Sequence, residues 1–122
     1  MTDQDILDRI NDGTLVVQMD KPIVWSFNTR RKVWTPLTAI EHESNGSKYR
    51  FVNICKRRMK KKIAVHRLVW MFAHRQLVPE GYDVDHIEGK VSDRIENLQL
   101  LESSRNRSKG AYIEDQQEEL PF

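Results

Sequence analysis

Only one cysteine, Cys55, occurs among the 122 residues of this chain. A single thiol excludes an internal disulfide and any zinc knuckle built on four cysteines. A reducing cytoplasm suits such a chain. Long apolar runs are also lacking. None approaches the ~20 residues that a bilayer-spanning helix needs, so no membrane partner is expected. The first ten residues, MTDQDILDRI, are acidic and have neither the basic start nor the apolar core of a secretory signal. No internal repeat or low-complexity domain is visible. The length admits one ordinary domain and not two. Hydrophobic content of 39% beside 31% charge fits a polar, globular, soluble protein.

Charge is abundant, and it is segregated. Residues 1–20 carry five acids and one base, and residues 111–122 carry four acids and no base. Residues 21–110 carry 19 bases against nine acids, a net of +10 hidden inside a total of +2. A basic body between acidic ends suits a polyanionic partner such as nucleic acid. The densest stretch is KRRMKKK, residues 56–62, with six bases in seven positions. Such a run is either a solvated turn or strand edge, or it lies along a phosphate backbone. Arg57, Arg58, Lys60, Lys61 and Lys62 are the candidate phosphate contacts.

The local pattern predicts a short helix capped by Thr2, with Asp3 and Asp5 in its first turn. Ile6, Leu7 and Ile10 give it one apolar side, and Gly13 ends it. Short β-rich runs follow: LVVQM, IVWSF, KVWTPL and YRFVNI. Turn signals at Asp20-Lys21-Pro22 and Ser44-Asn45-Gly46-Ser47 separate them. They predict a small antiparallel sheet in which Trp25, Phe27, Trp34 and Phe51 pack. A helix is expected over about 66–76, burying Leu68, Val69, Phe72 and Ala73 and broken by Val78-Pro79-Glu80-Gly81. Beyond it the pattern reads strand (Val84–Ile87), turn (Glu88-Gly89-Lys90), strand (Ile95, Leu98, Leu100) and short helix (Glu102–Lys109).

The most informative residues lie in GYDVDHIEGKVSDRIENLQLLESSRNRSKG, residues 81–110. Asp85 touches His86, and Asn97 and Asn106 follow at intervals of 11 and nine residues. This is a compact set of oxygen and imidazole groups. Over residues 63–110 the chain resembles the HNH endonucleases, also called ββα-metal or His-Me finger nucleases. The matching pieces are VHRLVW (65–70), VDHIEGK (84–90), IENLQLL (95–101) and SSRNRS (103–108). The resemblance implies an α+β fold. The expected order is a small β-rich N-terminal portion with the basic cluster (1–62), a ββα-metal finger (63–110) and an acidic tail expected to be mobile (111–122).

Hydrolysis of a phosphodiester needs a deprotonated water, neutralised phosphoryl oxygens and a stabilised leaving oxygen. A neutral imidazole can do the first near pH 7, and a divalent cation the other two. The resemblance makes His86 the general base and Asn97 the residue whose side chain, or nearby backbone, orients its imidazole. Asp85 and Asn106 become the metal ligands. Their oxygens disfavour Zn²⁺ and suit Mg²⁺ or Mn²⁺, one ion per site. Strand neighbours face opposite sides, so Asp85 and His86 can share a site only at a strand end or distortion. Arg94, Arg105 and Arg107 are candidate phosphate clamps. His66 reads as structural or capping.

The function expected is a metal-dependent endonuclease acting on double-stranded DNA, nicking one strand per active site. The chain would be a monomer or weak dimer in a bacterial or phage-infected cytoplasm. A DNA-binding module with a spent finger and a ribonuclease on the same finger are the alternatives. The terminal Gln117-x-x-Leu120-x-Phe122 resembles peptides that dock on bacterial sliding clamps. A frayed solubilising terminus fits the same residues.

Overall fold

The computed structural model describes residues 1–44, 47–88 and 92–103. Helix α1, Asp3–Asn11, begins at Thr2 as the sequence predicts. The Thr2 hydroxyl accepts from the Asp5 amide and the Asp5 carboxylate accepts from the Thr2 amide. Such a reciprocal cap is worth about 1 kcal/mol. Ile6, Leu7 and Ile10 are buried, and Gly13 reverses the chain at φ 84°.

Six strands follow in two antiparallel sheets. β1 (Leu15–Gln18), β2 (Ile23–Asn28) and β3 (Val33–Pro36) form the first, in that order. β4 (Ile40–Ser44), β5 (Ser47–Lys56) and β6 (Met59–Ala64) form the second. The period of two sends Leu15, Val17 and Val24 inward from one sheet, and Val52, Ile54 and Ile63 from the other. The four aromatic rings depart from expectation. Trp25 and its neighbour Val24 point to opposite faces, and Trp25 and Phe27 are only half-buried. Trp34, opposite Phe27 with ring centroids 5.1 Å apart, is 46% exposed. Phe51 is also half-buried. These two sheets therefore line the core with aliphatic side chains, because these rings alternate out of register with the inward positions.

The run 56–62 is the β5–β6 hairpin. Lys56 pairs with Met59, which leaves Arg57 and Arg58 as the turn. Lys61 sits opposite buried Ile54 and is held by Asp3 at 3.0 Å. Lys60 and Lys62 are exposed, with the Lys62 ammonium 4.5 Å from the centre of the Phe51 ring.

Helix α2, Val65–His74, continues directly from β6. It stops short of the expected 76 because Arg75 turns left-handed at φ 54°. The Arg75 amide donates to the Met71 carbonyl at 2.8 Å, and its guanidinium reaches the Ile10 carbonyl at 3.0 Å. Val65, Leu68, Val69, Trp70 and Met71 are buried. That arc is wider than the predicted stripe, and Ala73 is exposed, because α1, β1, β5, β6 and β7 all pack against the helix.

β7, Tyr82–His86, pairs antiparallel with β8, Leu98–Glu102, after a single 3₁₀ turn at Ile95–Asn97. One hydrophobic cluster runs from Ile6 in α1 to Leu98 in β8. The fold is α+β. The helix expected at 102–109, which would complete a ββα unit, lies beyond the described residues after Ser103. So do Gly89-Lys90, Asn45-Gly46 and the tail 111–122. Among the described residues no helix is long and apolar enough to cross a membrane.

Candidate active site

His86 is the last residue of β7 and is only 5% exposed. Asp85 pairs with Gln99 and His86 with Leu98, so the two side chains leave opposite faces. Immediately beyond the ladder, the Ile87 amide donates to the Asn97 carbonyl at 2.8 Å. His86 thus ends the strand, while Asp85 lies within the regular ladder on the opposite face.

The imidazole is held by a carboxylate. His86 Nε2 lies 2.7 Å from Asp93 Oδ1. The other oxygen, Asp93 Oδ2, accepts from Arg50 on β5, at 2.9 Å from Nε and 2.7 Å from Nη2. Burial pushes the Asp93 carboxyl upward. The hydrogen bonds from His86 and Arg50, with the Arg50 charge, outweigh burial and hold its pKa below the ordinary value. Asp93 is therefore ionised at neutral pH and can only accept. The proton of the 2.7 Å bond belongs to Nε2. In a neutral imidazole Nδ1 is then the basic nitrogen.

His66, in the first turn of α2, packs its ring 4.6 Å from that of His86 and 5.9 Å from Tyr49. Ligand atoms of His66, His86 and Asp93 lie within 4.8 Å of one another. The trio has the nitrogen and oxygen donors of a transition-metal site. Against that, the Arg50 guanidinium already neutralises Asp93 and would repel a cation there. The chain Arg50–Asp93–His86 is better suited to positioning an imidazole than to holding an ion.

Asp85 is half-buried and accepts from Gln99 Nε2 at 3.3 Å. A carboxylate bonded to a neutral amide, one residue from His86, is a fitting hard ligand for Mg²⁺ or Mn²⁺. Asn106, the other expected ligand, lies outside the described residues, as do Arg105 and Arg107. Asn97 pins the connection between the two strands. Its Oδ1 accepts from the Glu88 amide at 3.0 Å and its Nδ2 donates to the Ser92 carbonyl at 2.8 Å. Ser92 precedes Asp93, so Asn97 reaches His86 by way of the segment that carries Asp93. Arg94 is engaged elsewhere. Its guanidinium donates to the Asp20 carbonyl, at 2.9 Å from Nε, tying this segment to the first sheet.

Reasoning from sequence missed Asp93 and Arg50 and undervalued His66. The available signal was a carboxylate seven residues past His86, in a connection that the hairpin folds back on the strand end. Nothing marked Arg50, 43 residues before Asp93.

Residues 63–108 match a family model described as HNH endonuclease. The match supports the HNH resemblance of this segment, and with it nuclease activity and DNA as the substrate class. Neither the curated proteins nor the solved structures yielded a match.

Proposed function

We propose that the chain is a divalent-metal-dependent DNA endonuclease that nicks one strand per active site. The observation that carries this reading is the 2.7 Å bond from His86 Nε2 to ionised Asp93, within the segment matched to HNH endonucleases. Held by that bond, the ring is the base that takes a proton from water. Arg50 keeps Asp93 ionised and fixes its direction, and Asn97 holds the connection that presents it. Packing against His66 restricts the ring further. Burial of His86 keeps bulk water from competing for its hydrogen bonds.

Asp85 and Asn106 would hold Mg²⁺ or Mn²⁺. When bound, the ion supplies charge neutralisation at the scissile phosphate and at the leaving oxygen. Arg57, Arg58, Lys60 and Lys62 on the β5–β6 hairpin give sequence-independent attraction to the duplex, and Arg105 and Arg107 are the remaining candidate clamps. Incubation with supercoiled plasmid across Mg²⁺, Mn²⁺ and Zn²⁺ tests the reading. Open-circular product that depends on the metal and on His86 supports it. Absence of product with all three ions refutes it, and cutting of RNA alone would move the substrate to ribonuclease chemistry.

A further inference from the structure

A cleft of about 580 Å³ lies outside the matched segment, between the tips of two hairpins. Arg30 and Arg31, from the β2–β3 turn, line one wall; Lys56 and Arg57, from the β5–β6 hairpin, line the other. Arg9 and Asp12 also line it. Five cationic side chains thus face one carboxylate. Lys56 is partly neutralised by Asp5 at 3.5 Å and Asp8 at 3.8 Å. Among the described residues Arg9, Arg30, Arg31 and Arg57 have no carboxylate within 4.0 Å.

Arg9 decides the character of the cleft. It is 8% exposed, yet its acceptors are all neutral: the Thr14 hydroxyl and carbonyl, the Ser26 hydroxyl, and the Cys55 and Phe27 carbonyls. Burial lowers its pKa, which the charge of Asp12 opposes; it remains a cation at neutral pH. Its hydrogen bonds lock α1 to both hairpins, while no carboxylate comes within 4.0 Å of its charge among the described residues. The arginine-bearing turn above it is also fixed. Asn28 Oδ1 accepts from the Arg30 amide at 3.0 Å and the Arg31 amide at 2.9 Å. A rigid, cationic, polar cleft suits an anion that carries its charge along a line.

We propose that this cleft binds the phosphate backbone of duplex DNA as a second anchor, separate from the nicking centre. The proposal rests on the nuclease reading for the identity of the polyanion. β5 joins the two places: Arg50 stands at the His86 site and Lys56 at the cleft. Six residues of strand span ~20 Å, which matches about six nucleotides at 3.4 Å each.

Two measurements test the anchor in EDTA, where binding is read without cleavage. The first compares wild type with the double variant Arg30→Ala, Arg31→Ala, which leaves the arginines of the β5–β6 hairpin intact. The expected result is a log K against log salt plot flattened by ~0.9 for each phosphate that the variant no longer neutralises. The second uses Cys55, the sole cysteine, which is exposed and lines the cleft. A photo-cross-linker on this thiol of the otherwise native chain should capture bound duplex, and less of it as salt rises. An unaltered slope in the folded variant overturns the proposal, and so does bound duplex that Cys55 never captures. Wild type that nicks plasmid while showing either result sinks the anchor alone. Wild type that binds through the cleft but never nicks sinks the nuclease reading alone.

Discussion

His86 and Asp93 are seven residues apart in the chain and 2.7 Å apart in space. The contact exists because the β7–β8 connection folds back over the end of β7, and it fixes which imidazole nitrogen bears the proton. Removing the carboxylate charge should therefore cost more in chemistry than in DNA affinity. Asp93→Asn is expected to slow nicking by ~10²-fold or more, within the range for general-base contributions. Affinity measured without metal should hold. The same substitution has a signed pH signature. The folded pKa of Asp93 is depressed, so its stabilising effect is present above the unfolded carboxylate range and fades as pH falls through the folded value. Urea unfolding should show wild type more stable than Asp93→Asn at neutral pH, by ~1–3 kcal/mol, with the gap closing in acid. A constant gap across pH would remove Asp93 as an ionised partner.

Asn97 holds the Glu88 amide at 3.0 Å and the Ser92 carbonyl at 2.8 Å. Asn97→Ala should release the connection that presents Asp93, at ~1 kcal/mol per hydrogen bond removed. Hydrogen exchange at the Glu88 amide should speed up and nicking should slow together. Faster exchange with nicking untouched would make Asn97 a purely structural residue.

The basic hairpin should not behave as one uniform patch. Lys60 and Lys62 are exposed, whereas Lys61 is engaged by Asp3. Lys60→Ala and Lys62→Ala are each expected to flatten the salt dependence of DNA binding by ~0.9. Lys61→Ala should leave the slope unchanged and cost only ~0.2–1 kcal/mol of stability, as partly exposed pairs do. Equal slopes for all three variants would mean that Asp3 does not restrain Lys61.

Asp85→Ala and Asn106→Ala should raise the Mg²⁺ or Mn²⁺ concentration needed for half-maximal nicking. A carboxylate and an amide oxygen are the expected ligands, and removal of either weakens the site. An unchanged metal titration in both variants would take them out of the coordination sphere.

Much of this was legible in the sequence, for physical reasons that differ by element. Thr2 and Asp5 announce α1 because a cap is a local hydrogen-bond pattern three residues wide. That His86 stands at the end of a strand was readable because a turn signal follows it. The aromatic residues misled, since periodicity alone does not say which face of a thin sheet meets the core. Arg50 and Asp93 were illegible because only the packing of β5 against the β7–β8 connection brings them together. The role of Arg9 was hidden likewise: its partners are mostly backbone carbonyls, which leave no trace in side-chain pattern.

The most direct test is the rate of plasmid nicking by His86→Ala beside wild type, with DNA affinity measured in parallel. The expected result is open-circular product from wild type in Mg²⁺ or Mn²⁺, a ~10²–10⁴-fold slower rate in the variant, and nearly equal affinity for the duplex. A variant that nicks at the wild-type rate would contradict the assignment of His86 as the base.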